Sequence, residues 1–282
     1  MYLIYRKWMI LANFIIASFA NTFPLIAHEF WIEPKSYVIN SGERLIANLR
    51  IGQNFKGDDL VYNENEFNRF AVLTENGNQK VLGRLGDRPA LNILPKYSGV
   101  SILIHQSEPT YLTYDEFEKF KIFSEKKGFP NIQKEHIKRG LPGKGFTESY
   151  TRFAKSIVVV GVNKGSDKRA GLELELVVDS SIYKKNNKNK KMVTITLFYQ
   201  KKPYPNATVQ IFSKNKNEFV RNSNKKTDIK GKFQIENTPD TIFLINSVVL
   251  RPVNPKSNNN NAVWESLWAS TTFQTGTKAN SM

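Results

Sequence analysis

Hydrophobic and polar positions alternate along most of this 282-residue chain, and long stripes with a 3.6-residue period are few. That pattern predicts β-structure. Ser36–Ile51 holds two short strands around Ser41-Gly42, and Phe70–Leu73, Gln79–Leu82 and Val100–Ile104 predict three more, with Asn76-Gly77 as a hairpin turn. One segment reads as a helix. Thr113 or Asp115 caps it, Glu116, Phe117, Phe120, Ile122, Phe123 and Lys126 give it amphipathic spacing, and Gly128-Phe129-Pro130 ends it. Ile132–Arg139 predicts a second, shorter helix. After the polar stretch Gly140–Gly145, Glu148–Lys155 leads into the apolar β-run Ser156–Val162, and Leu172–Val178 alternates as a half-buried strand.

Lys184–Lys191 is the clearest break, because eight consecutive Lys and Asn residues are too polar to pack. Beyond it the pattern is all β: Met192–Tyr199, a turn at Lys202-Pro203, Ala207–Phe212, the strand-turn-strand signal Thr227–Phe233 with Gly231 at the turn, Thr241–Leu250, a loop at Asn258–Asn261, and the aromatic strand Trp264–Phe273. About seven short strands in roughly 90 residues predict an immunoglobulin-like or transthyretin-like sandwich. The expected fold is therefore mostly β. An N-terminal β-rich domain with one or two helices (28–183) precedes a C-terminal sandwich (192–276).

The first 27 residues read as a secretory signal, with Arg6 and Lys7 followed by an apolar stretch from Trp8 to Ala20. That stretch is too short to span a bilayer, and no later one is apolar enough, so no membrane span is expected in the mature chain. Ser18-Phe19-Ala20 fits the small-x-small cleavage rule better than Leu25-Ile26-Ala27. A cut after Ala20, however, leaves Phe23-Pro24-Leu25-Ile26 on the mature end and a very short apolar core. Cleavage after Ala27 is the expectation, with a periplasmic destination. The formal charge of +16 falls by two, to +14, once Arg6 and Lys7 leave with a leader that holds no acidic residue. Nucleic acid is not an expected partner, since export removes the chain from it. The basic residues are spread through Lys/Asn-rich loops, with attraction to an anionic envelope surface as the functional alternative.

The ordered landmarks His28-Glu29-Phe30-Trp31-Ile32-Glu33-Pro34, Tyr150-Thr151-Arg152-Phe153-Ala154-Lys155, Gly171-Leu172-Glu173-Leu174-Glu175, Thr227-Asp228 with Gly231, and Trp264–Phe273 resemble a bacterial envelope family of unknown function. Its members are often described as the periplasmic component of nickel or cobalt uptake systems. The resemblance covers nearly the whole mature chain. It implies a divalent transition metal as ligand and an inner-membrane importer as partner. The family's start, Ala-His followed by an acidic residue and an aromatic, matches Ala27-His28-Glu29-Phe30 and supports a cut after Ala27.

That cut would make His28 the first mature residue. Its amine and imidazole can then close a six-membered chelate ring on a metal. Amine and imidazole have reference pKa values of about 7.7–8.0 and 6.5, and both must be deprotonated to bind, so affinity should fall in acid. With no Cys, three His and four Met, the ligands available are imidazole, amine and carboxylate. These suit nickel, cobalt, copper(II) or zinc, and not copper(I), and the resemblance implies nickel or cobalt among them. His105, at the end of a strand, is the expected second ligand, against the alternative of a hydrogen-bonded structural histidine. His136 reads as lying on an exposed, charged helix face. Glu29 and Glu33 should face solvent, and Glu148 and Glu265 are candidate carboxylate ligands.

Trp31, Trp264 and Trp268 read as core more than as a binding platform. Tyr150, Arg152 and Lys155 offer an anion site, or Arg152 pairs with a buried carboxylate. No catalytic motif is present: there is no Gly-x-Ser-x-Gly, no His-Glu-x-x-His, and Gly140–Gly145 lacks the phosphate-loop spacing. The expected function is a non-enzymatic carrier of nickel or cobalt. An N-terminal histidine on a β-sandwich is also how copper monooxygenases acting on polysaccharides hold their metal, so a copper enzyme or copper carrier is one alternative. A non-metal structural or adhesion module of the envelope is the other.

Overall fold

A computed structural model describes residues 28–178, 192–254 and 260–276. The leader, Lys184–Lys191 and Asn258-Asn259 fall outside them. The fold is mostly β, as the alternation predicts. Its strands are β1 Glu29–Pro34, β2 Val38–Ile39, β3 Leu45–Gln53, β4 Lys56–Leu60, β5 Phe67–Thr74, β6 Gly77–Lys80, β7 Leu91–Ile93, β8 Gly99–Ser107 and β9 Thr110–Tyr114. After two helices, α1 Phe117–Lys126 and α2 Ile132–Lys138, come β10 Phe146–Val160, β11 Leu174–Val178, β12 Met192–Tyr199, β13 Lys202–Pro203, β14 Thr208–Lys214, β15 Val220–Lys226, β16 Lys232–Glu236, β17 Thr241–Pro252 and β18 Ala262–Thr275. Among the described residues, no helix is long and apolar enough to cross a membrane.

The strands form three sheets. A large central sheet runs β15-β14-β17-β18-β10-β8-β5-β6, with β2 and β9 also on β10, and so takes strands from both sides of Lys184–Lys191. Its middle is a parallel pairing of β10 with β18, from Thr147 opposite Ala262 to Ser156 opposite Thr272. A smaller sheet, β1-β3-β4 with β7, covers part of one face, and β11-β12-β13 with β16 covers the other. Alternation along β10 assigns the faces. Phe153, Ile157 and Val159 join a core with Leu174, Leu176, Ile195 and Leu197. Ala154, Val158 and Val160 join the core beneath β1 and β3, with Ile32, Leu45 and Leu49. Such alternation on a sheet buried on both sides supplies two cores from one strand.

The helices cap the first face further along. Phe120, Phe123 and Ile132 pack with Phe146, Trp264 and Trp268. Trp31 is fully buried against Phe55, Phe212 and Leu244. All three tryptophans are therefore core, as their spacing suggests, and Trp264 and Trp268 share a sheet face. The Asp228–Gly231 turn is built as expected. The Gly231 amide donates to the Asp228 carbonyl (2.9 Å), and Asp228 Oδ1 accepts from the Lys230 and Lys232 amides, both at 2.8 Å. Gly231 has φ +71° and a Cβ there would lie 2.7 Å from the Tyr204 nitrogen, so the turn requires glycine.

Candidate functional site

His28 is exposed and immediately precedes β1. The strand itself is held firmly. β1 pairs with β3 from Glu29 opposite Gly52 to Pro34 opposite Ala47, and Phe30, Trp31 and Ile32 are all buried. Glu29 corrects the expectation that it faces solvent. β1 is covered on both faces, and Glu29 lies only 3 % exposed, 3.1 Å from Lys127 Nζ. That ammonium also donates to Gln210 Oε1 at 2.5 Å and sits 4.6 Å from the centre of the Trp268 ring. Burial lowers the Lys127 pKa, and the Glu29 carboxylate opposes that shift. Glu33, by contrast, is half-buried and pairs with Arg50 at 3.3 Å.

Two positions along β1 from His28, Phe30 packs against His105, their rings 4.9 Å apart. Phe67 and Phe70 complete the cage, at 5.4 and 5.3 Å. His105 is 4 % exposed. Its Nδ1 is buried and has no hydrogen-bond partner. Burial drives its pKa down to about 3, and the nearby Arg152 charge pushes the same way, so the ring is neutral at any physiological pH.

The backbone explains why these two side chains meet. β8 pairs with β10 from Gly99 opposite Val160 to Ile102 opposite Ile157, and there the ladder ends. β9 takes up the same edge of β10 from Tyr150 to Phe146. In the gap, the Arg152 amide donates to Ser107 Oγ at 2.9 Å. Arg152 shares the sheet face of Ala154, and His105 that of Leu103, so both project toward the core beneath β1. A cleft of about 440 Å³ opens there. It is walled by Phe30, Leu49, Leu60 and Phe67, rimmed by Glu66, Glu108 and Thr110, and floored by His105 and Arg152. The Arg152 guanidinium lies 4.6 Å from the centre of the Tyr150 ring, and its Nε is buried with no partner. Burial destabilises its charge, which Tyr150 and Glu148 offset in part.

The remaining expected residues lie elsewhere. His136 is not exposed but 2 % accessible, within 4.6 Å of Phe117 and 4.5 Å of Phe146 by ring centres. Its Nδ1 accepts from the Trp264 indole at 3.0 Å, so its Nε2 carries the proton and donates to the Pro142 carbonyl at 2.9 Å. The ring turns inward because α2 buries the face carrying Ile132 and His136. Glu148 is buried, accepts from Tyr114 Oη at 2.6 Å and from Ser266 Oγ, and burial raises its pKa to about 7. Glu265 pairs with Arg251 at 2.6 Å.

Lys155, and not Arg152, pairs with a buried carboxylate, on the opposite face of β10. Its ammonium donates to Asp167 (2.9 Å) and to the carbonyls of Lys168 (3.1 Å) and Leu176 (2.9 Å). Among the described residues no three His, Asp or Glu side chains are grouped to hold a metal ion.

Residues 25–249 match the sequence profile of a domain of unknown function, DUF4198. The chain belongs to that family. The match runs from before β1 into β17 and includes His28, His105 and Arg152. No curated protein matches the chain. Among solved structures, the D0-D1 domain of intimin is 10 % identical with a TM-score of 0.21, covering 86 % of this chain and 96 % of that one. A tetra-tandem repeat in the extending region of a large adhesion protein is 11 % identical with a TM-score of 0.21, covering 89 % of this chain and 50 % of that one. Likenesses at those TM-scores carry no functional argument. Among the described residues of this DUF4198 chain, two features with chemistry left unused are the exposed His28 and the cleft above His105 and Arg152.

Proposed function

We propose that the protein is a periplasmic carrier that takes up a divalent transition metal, nickel or cobalt, on His28 and passes it to an inner-membrane importer. The observation that carries this reading is the exposed His28 at the head of a strand whose next four residues are all buried. Cleavage after Ala27 would place a free amine on that histidine, giving a two-nitrogen claw on a rigid support. An open claw suits a cargo that must leave again, whereas a closed four-ligand cage suits a structural ion.

His105 fits the cargo poorly as a second ligand. It lies beside Arg152, and the charge that disfavours its protonated form also disfavours a metal cation there. His136 is taken at both nitrogens. The remaining donors would then come from the importer or from a small chelator, and a copper enzyme would lack its nearby second histidine.

The test is N-terminal sequencing of the exported protein, followed by calorimetric titration with nickel, cobalt, copper and zinc. The expected result is an N-terminus at His28, with binding that weakens in acid and is lost in His28→Ala. A mature N-terminus at Asn21, or unchanged metal binding by His28→Ala, would overturn the proposal.

A further inference from the structure

We infer that the cleft between β1, β5, β8 and β10 is a binding site for a small organic monocarboxylate with an apolar body, held at its floor by Arg152 and His105. The inference is independent of metal capture at His28.

Three observations carry it. His105 is buried to within a few per cent, yet its Nδ1 has no partner and the ring lines the cleft. A buried polar atom left unpaired costs about 1–3 kcal/mol, and a ligand acceptor that turned the ring toward the cleft would satisfy it. Arg152 lines the same floor with a buried, unpartnered Nε. A guanidinium in such a place matches a carboxylate through paired N–H donors.

The rest of the lining narrows the ligand. Phe30, Leu49, Leu60 and Phe67 form an apolar wall, and about 440 Å³ lies within the roughly 300–1,000 Å³ of small-molecule sites. Glu66 and Glu108 stand at the rim, where Glu66 is exposed and its Oε1 accepts from Asn63. Two rim carboxylates over one guanidinium repel phosphates and polycarboxylates. A single negative charge can pass inward to the floor, with the apolar body filling the walls.

Isothermal titration in metal-free buffer with EDTA provides the test, using 3-phenylpropanoate, 3-phenylpropylamine and inorganic phosphate as probes. Only 3-phenylpropanoate should bind in the millimolar range or tighter. Arg152→Met should weaken it at least tenfold and His105→Leu about fivefold, while His28→Ala leaves it unchanged. Should Arg152→Met misfold, spectra of the wild-type protein decide: the acid should shift the Arg152 Nε–H and His105 ring resonances and leave those of His136 in place. Failure of the acid to bind, equal binding by the amine, tighter binding by phosphate, or indifference to Arg152→Met would overturn the inference. Because His28→Ala is silent here and decisive for metal, the two readings fail separately.

Discussion

His136 and His105 are both buried and both ringed by aromatic side chains, yet only His136 has both nitrogens engaged. It bridges the Trp264 indole and the Pro142 carbonyl, joining α2 to β18 and to the loop before β10. His105 sits among three phenylalanines beside a cation, with a nitrogen that nothing among the described residues satisfies. β10 repeats the contrast three residues apart. Lys155 has three acceptors for its three protons, while Arg152 keeps a buried donor unused. Burial alone therefore does not separate a structural group from a binding one. The separation comes from whether the chain itself supplies the partner.

Substitution should break the comparison most sharply at the two β10 cations. Lys155→Met leaves Asp167 buried and uncompensated and should cost about 3–5 kcal/mol in denaturant unfolding. Arg152→Met removes an unsatisfied donor and should change stability by less than about 1 kcal/mol. The histidines should follow. His136→Ala opens a hole against Phe117 and Phe146 and strands the Trp264 N–H, a loss of about 3 kcal/mol. His105→Leu replaces an unsatisfied ring by an apolar side chain and should stay within about 1 kcal/mol of wild type. Equal losses within either pair would erase the distinction.

Acid–base behaviour sharpens it further. His105 has a folded pKa of about 3 against an ordinary 6.5. Its neutral burial contributes fully above pH 6.5, and that contribution is lost as pH falls toward 3. Glu148 runs the other way. Its carboxyl is raised from 4.5 to about 7, so its contribution is full below pH 4.5 and lost as pH rises through 7. Between pH 4.5 and 6.5 the two slopes oppose each other. His105→Leu should unmask a decline with rising pH, and Glu148→Gln a decline with falling pH, both read by denaturant midpoints across that window. Matching pH profiles in the two variants would remove the assignment.

The sequence showed the strands where one face is apolar and the other polar, as in β12 and β16, and placed the Gly231 turn by its residue types. It foretold Trp31, Trp264 and Trp268 as core because aromatic spacing on a strand leaves few other places for them. β10 was legible only from Ser156 onward. Its first ten residues include Glu148, Tyr150, Arg152 and Lys155, and polar side chains satisfied or stored inside a protein look like loop in a linear pattern. Glu29 departs from the solvent-facing expectation for a related reason: a strand covered on both faces has no solvent side to send a carboxylate to. The charged neighbours of His136 suggested an exposed face, and the Pro142 carbonyl and Trp264 indole that hold it lie outside any local window. Arg152 reads as an anion candidate in the sequence, but its meeting with His105 depends on where β8 parts from β10, which only tertiary structure defines.

The parallel contact of β10 with β18 has a consequence for how the chain acquires this shape. Thr147 must find Ala262, and the sheet cannot knit its two wings together until β18 has been synthesised. Contacts so distant in sequence carry a heavy loop-closure penalty and slow the folding of β-proteins. A chain translated only as far as β17 would leave open the seams that Leu267 closes in one core and Trp264 closes in another. The order of synthesis thus keeps the two wings apart until β18 is available, a kinetic delay written into which strand occupies the centre.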